Sequence, residues 1–189
     1  MASPRDYLDL TLAEWLDVLS QSRGAPGGGS ALAFALATSA SVVAMAARVS
    51  EDGGLAAQAD ALCARAAPLV QRDADTYDAA LAVRDATEEL KAEQRDWEIG
   101  RVFAQAAEPP LEIARTAADV AELAAQLADA GDPRVHADAL AAAALAAGVA
   151  RGAVALVAVN LTALDGDPRV AEAEALADNA RRSATRAGC

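Results

Sequence analysis

Apolar residues along this chain recur every three or four positions, and no stretch alternates strictly, so the pattern predicts helices throughout. A first helix follows Thr11, with Leu12, Trp15, Leu16 and Leu19 on one face. Thr11 and Glu14 have the spacing of a capping box, and Gly24-Ala25-Pro26 ends the helix. A second helix begins in the glycine run Gly27–Gly29 and continues to about Ser50. It carries no charge from Ala31 to Ala47 and reads as buried nearly all round. After Gly53-Gly54 a third helix is predicted from Leu55 to Ala86, kinked at Pro68. Thr87–Ala107 reads as a fourth, with a charged first half and with Trp97 and Val102 turned inward. Glu108-Pro109-Pro110 is a break, and a fifth helix runs from Leu111 to about Ala130. The five letters GDPRV then occur twice, at Gly131–Val135 and Gly166–Val170. In each, glycine closes one helix, aspartate caps the next and proline takes its first position. Between them lies a long apolar helix, Val135–Leu164, and after them a last helix to about Arg186. The expectation is an all-α, single-domain bundle of six to seven helices around two long small-residue helices.

Composition sharpens that picture. Of 189 residues, 55 are alanine and only 3% are aromatic. Alanine favours helix but buries little area, so each helix has few large anchors. A partner subunit that covers more apolar surface is therefore expected, most simply a homodimer. The formal net charge is -12 and Lys91 is the one lysine, which argues against nucleic acid as a partner. An anionic ligand would need a local arginine cluster. The N-terminal "MASPRDYLDL" lacks the basic and apolar regions of a signal peptide. The uncharged stretch Ala31–Ala47 is rich in Ala, Ser and Thr, which favours a soluble core helix over a membrane span. These features point to a cytoplasmic protein. Cys63 and Cys189, with the single histidine His136, form no metal-binding spacing.

Candidate chemistry lies in a few polar positions within apolar surroundings. Gly27, Gly28 and Gly29 precede Ser30 at a helix start, where unpaired N–H groups and a partial positive charge suit a ligand lying on the backbone. No Gly-Lys-Ser/Thr follows and no strand precedes, so this is neither a nucleotide P-loop nor a dinucleotide fingerprint. Asp73 is four residues after Leu69 and four before Tyr77, on the apolar stripe of its helix, so it should face inward with a displaced pKa. Asp75 and Asp78 should face solvent. Asp138 opens the alanine-rich helix, and Asn160 lies inside "VALVAVNLTAL", where its amide needs a partner.

Taken in order, these segments resemble the cyclodeaminase/cyclohydrolase family of folate enzymes over roughly residues 10 to 180. Pro26, Gly27, Gly28, Gly29 and Ser30 match its Pro-Gly-Gly-Gly-Ser. "RDADTYDAAL" resembles its Asp-Ala-x-Ala-Phe/Tyr segment at Asp73 and Tyr77. "AAEPPLEIA" resembles its Ala-x-x-Pro-Leu at Pro110 and Leu111. "AGDPRVHADAL" through "VAVNL" resembles the segment that ends in Asn-Leu, with its aspartate at Asp138 and its asparagine at Asn160. Asp132 and Ala137 stand where the family often has Asn and Ser, and Leu156 and Ala158 where it often has Asn and Arg. The Leu-Pro-Lys usual after the aromatic segment is absent.

The resemblance implies a dimeric helical bundle with no prosthetic group or metal, acting on a tetrahydrofolate derivative as substrate. The reaction is either hydrolysis of 5,10-methenyltetrahydrofolate to 10-formyltetrahydrofolate or cyclisation of 5-formiminotetrahydrofolate with release of ammonia. It makes Asp73 or Asp138 the general acid/base. It makes Pro26, Gly27, Gly28, Gly29, Ser30, Tyr77 and Asn160 substrate contacts, with Arg23, Arg95 or Arg101 meeting a glutamate tail. A folate binder without turnover and a purely structural helical dimer are the alternatives.

Overall fold

The computed structural model describes residues 6–21, 24–162, 164 and 166–189. Among them it has eight α-helices: α1 (Leu12–Leu19), α2 (Gly28–Val49), α3 (Gly53–Ala66), α4 (Leu69–Ala86), α5 (Ala92–Ala106), α6 (Glu108–Ala130), α7 (His136–Asn160) and α8 (Pro168–Ala187). Short 3-10 turns at Tyr7–Asp9 and Pro133–Val135 precede α1 and α7. The all-α bundle read from the sequence is the fold observed.

The local signals act as chemistry requires. Thr11 accepts the Glu14 N–H while Glu14 reaches back to the Thr11 N–H, closing the capping box. Asp132 and Asp167 each accept an N–H two residues on, from Arg134 and Arg169. At Pro68 the segment expected as one kinked helix separates into α3 and α4. Proline has no N–H to carry the ladder through. Pro109 and Pro110 do not interrupt a helix but lie in the first turn of α6, where missing N–H groups cost nothing.

The centre is a layer of α2, α6, α7 and α8, with α3 and α4 packed on α2 and with α5 on α4. Helices α2 and α7 run antiparallel. Gly28 lies against Leu156, Gly152 against Leu32, and the buried Ser39 hydroxyl donates to the Ala142 carbonyl at 2.9 Å. Alanine dominates this core, with Leu36, Val43, Leu111, Ile113, Val120 and Val157 as its larger buried side chains.

Two burial expectations are corrected, for α2 and for Trp97. Helix α2 is buried on one side only, because Phe34, Thr38, Ser41 and Met45 form an exposed stripe three to four residues apart. On α1 only Trp15 is buried, against Tyr7 and Phe34, while Leu12 and Leu16 stay exposed. Trp97 is 65% exposed, since α5 packs through Gly100, Val102 and Ala106 instead. By length and composition, Gly28–Val49 and Pro133–Asn160 are each apolar enough to cross a membrane, and about half of each is buried inside the protein.

Candidate active site

Helix α2 starts without a cap of its own, because its N-cap is Gly27. The cap comes from α4. The Asp73 carboxylate accepts the Ser30 hydroxyl at 3.2 Å and also the Ser30 backbone N–H, so it takes the place a capping side chain would fill. Ser30 is fully buried and Asp73 nearly so. The approach is close enough to dictate residue 29. A Cβ on Gly29 would sit 2.0 Å from Asp73 Oδ1 and 2.4 Å from its Cγ. Gly29 is therefore the space that Asp73 occupies. Gly28 and Gly27 have no such constraint: a Cβ would touch Leu156 at 3.8 Å in the first case and nothing within 4 Å in the second.

Burial pushes the Asp73 carboxyl above its ordinary value, and the two Ser30 hydrogen bonds hold it back in part. The result is a carboxyl group shifted towards holding its proton nearer neutral pH, as proton-transfer chemistry needs.

Beside it is a cavity of about 280 Å3. Its floor is Gly27, Gly28, Gly29 and Asp73; its walls are Tyr77, Pro110, Leu156, Val159 and Asn160, and Gly24 and Ala25 close one end. The loop from Gly24 is shaped by a positive φ of 72° at that glycine and by Asp78, whose exposed carboxylate accepts the Ala25 N–H at 3.1 Å. Pro26 is buried beneath the loop. One turn beyond Asp73, Tyr77 meets Phe103 edge to face at 6.3 Å. Asn160 is 8% exposed, and its Nδ2 donates to the Ala106 carbonyl at 3.0 Å. No buried side-chain oxygen or nitrogen among the described residues lacks a partner. Asn160 lines the cavity, and its Oδ1 accepts from no described residue.

The sequence candidates Gly27, Gly28, Gly29, Tyr77, Asn160 and Asp73 converge here, with Ser30 and Pro26 directly behind. Asp138 does not. It is exposed in the first turn of α7, and the 22 residues to Asn160 put it about 33 Å away along the helix at 1.5 Å per residue. Arg95 and Arg101 lie on α5 beside Asp96 and Glu98, outside the cavity wall, with Arg101 also over the Trp97 ring. Arg23 lies outside the described residues. Sequence reasoning missed Leu156 and Val159 as wall residues and Asp78 as the anchor of the loop. An apolar residue at a helix end carries no signal of its own, and Asp78 stands 53 positions from its partner. Open grooves also lie beside Trp97 and between α6 and α8, but their acidic groups are mostly exposed or held by arginine.

Comparison with known proteins places this geometry in context. The family model described as "Formiminotransferase-cyclodeaminase" matches residues 11–179. The fold is similar to the crystal structure of a formiminotetrahydrofolate cyclodeaminase from Thermotoga maritima. The TM-score is 0.82 at 19% identity, over 95% of this chain and 94% of that one. No match was found among curated proteins.

Proposed function

Because the chain belongs to the formiminotransferase-cyclodeaminase family, we propose that it acts on a C–N bond of a tetrahydrofolate derivative, as a methenyltetrahydrofolate cyclohydrolase or a formiminotetrahydrofolate cyclodeaminase. The observation that carries this reading is Asp73, a buried carboxyl with a raised pKa, opening on a cavity at the start of α2. Either reaction passes through a tetrahedral carbon between two nitrogens. In hydrolysis, water attacks the methenyl carbon and gives a proton to the Asp73 carboxylate. The C–N5 bond then breaks as Asp73 returns that proton to N5, and the hydroxyl loses its own to leave a formyl group on N10. In cyclisation, N10 attacks the formimino carbon and its proton passes to the formimino nitrogen; Asp73 gives that nitrogen a second proton, its bond to the carbon breaks, and ammonia leaves the methenyl cation. Tyr77, Leu156 and Val159 would hold the ring system by apolar contact, and Asn160 would orient it. Asp138 takes no part in this scheme.

We propose that the working molecule is a homodimer, supported by the exposed apolar stripe of α2 and α7.

The test is turnover. Purified protein should accelerate loss of the near-ultraviolet absorbance of 5,10-methenyltetrahydrofolate, or form that absorbance from 5-formiminotetrahydrofolate. Asp73→Asn should lower either rate by about 10²–10⁴-fold, the range of general acid–base catalysis, whereas Asp138→Asn should leave it unchanged. Full activity in a folded Asp73→Asn protein would remove Asp73 from the chemistry. Silence with both substrates, together with no thermal protection by either, would overturn the folate reading.

A further inference from the structure

The polar groups of the cavity are unevenly distributed. Asp73 and Tyr77 are the ionisable side chains in its wall, and among the described residues no lysine or arginine lines it. At the start of α2, where an anion would otherwise be attracted, the Asp73 carboxylate already takes the Ser30 hydroxyl and N–H. The Asp73 carboxylate lines the cavity with both Ser30 donors already on it, so what it has left for a ligand is acceptor capacity. Asn160 donates one N–H of Nδ2 to the Ala106 carbonyl, which holds the amide in the wall with its Oδ1 free to accept. The Asp73 carboxylate, anionic when ionised, and the Asn160 amide therefore line a space otherwise walled by Pro110, Leu156, Val159 and the Tyr77 ring. A neutral or anionic ligand leaves the buried carboxylate without a counter-charge, which costs free energy. A compact ammonium would pair with it but would forfeit its strong hydration against apolar walls. A flat cation with its charge spread over N–C–N offers N–H donors to both groups and apolar faces to the walls, and it is weakly hydrated.

We propose that this cavity is an amidinium site: it selects a planar, delocalised N–C–N cation through the Asp73 carboxylate, with Asn160 Oδ1 as the second acceptor. The inference rests on the folate reading only for its natural ligand, where the protonated formimino group on N5 is such a cation; the methenyl cation spreads the same charge over N5–C–N10 but has no N–H to donate. It makes a separate claim, that charge recognition resides in Asp73 and not in an arginine, and that claim is tested without any folate.

The probes are benzamidinium and benzamide, nearly identical in shape and different in charge. Binding is followed at pH 8 in about 0.15 M salt, which screens the acidic surface to a length of roughly 8 Å. The readout is amide shifts of Gly28 and Gly29 and side-chain shifts of Asn160. The intact protein should bind benzamidinium at least about tenfold more tightly than benzamide, with shifts at those residues. In Asp73→Asn the ratio should fall to within about twofold while benzamide binding is retained, which also reports an intact cavity. Equal binding of the two probes by the wild-type protein overturns the proposal, as does binding of neither. So does a preference that survives Asp73→Asn, or one whose shifts lie elsewhere on the surface. Folate turnover without amidinium preference would sink this inference and leave the enzymatic reading standing. Amidinium preference without any folate effect would do the reverse.

Discussion

A single pair, Gly29 and Asp73, carries most of the argument at the scale of residues. Their relation gives a sign test. Alanine ordinarily stabilises a helix relative to glycine by roughly 0.5–1 kcal/mol. Here the added methyl would overlap the carboxyl group at 2.0 Å. Gly29→Ala should instead destabilise by about 1–3 kcal/mol, the range for overpacking. Asp73→Ala removes the colliding atoms, so most of that cost should vanish in the double variant, and a denaturation cycle over the four proteins measures it. Additive costs would mean that the two side chains do not compete for this space. Asp73 also fixes a pH dependence. Its folded pKa is raised, so its contribution to stability is fully present below the unfolded value and is lost as pH rises through the folded one. Asp73→Asn keeps an acceptor for Ser30 and cannot ionise. The stability of the variant relative to wild type should therefore grow from pH 4 to pH 8, reaching about 1 kcal/mol, typical of one poorly compensated buried polar group. Thermal melts of both proteins across that range would show it, and a constant gap would refute it. The inward position of Asp73 was legible from its spacing to Leu69 and Tyr77. That Gly29 makes room for Asp73 was not, because it depends on where α4 crosses α2.

Among the elements, the two GDPRV segments show how one string of letters gives different outcomes. Both act as helix starts, as their chemistry dictates. Arg134 is 76% exposed at its side chain, and its carboxylate partner is Asp132 of the same turn. Arg169 is 22% exposed and bonds Asp167, Glu108 and the Ala104 carbonyl, with the last two at 2.6 and 2.8 Å. It therefore ties the start of α8 to the junction of α5 and α6, next to the Ala106 carbonyl that holds Asn160 and to Pro110 in the cavity wall. Arg169→Ala should cost about 1–3 kcal/mol through the half-buried groups it leaves unpaired. Arg134→Ala should leave the melting curve where it is. Equal effects in thermal unfolding would mean that the long-range bonds of Arg169 contribute nothing. Caps, glycine stops and proline starts were legible because each is settled within four residues. The tie from Arg169 to Ala104 spans 65 residues and leaves no trace in local sequence.

For the whole molecule, the open question is which apolar surface stays uncovered in one chain. Periodicity shows that a helix has an apolar face but not whether the fold has a neighbour for it. That is why Trp97 was expected inside and lies outside, and why Leu12 and Leu16 share an apolar face that nothing in the chain covers. The same uncertainty hides a coherent surface. Along α2, Phe34, Thr38, Ser41 and Met45 are exposed. Along α7, Ala141, Leu145, Gly148, Ala155 and Val159 are exposed, with Arg151 the one charge between Asp138 and Asp165. The two helices lie side by side, each at least about 33 Å long and about 10 Å wide. Together they present roughly 700 Å2, close to the 800 Å2 per partner of an ordinary stable interface. Val159 at its end also forms part of the cavity wall, so a second copy seated there would shield the reaction site from water. The alanine-rich core, poor in large anchors, is what such an association would supplement. The protein should therefore sediment at twice its 19.1 kDa mass at micromolar concentration, with a melting temperature that rises with concentration. Met45→Arg with Leu145→Arg places like charges in the middle of the face and should give a helical monomer. A wild-type monomer at tens of micromolar, or a charge variant that still dimerises, would move the interface elsewhere or abolish it. If the monomeric variant also loses turnover while retaining amidinium binding, the partner contributes closure of the site and not recognition of the ligand.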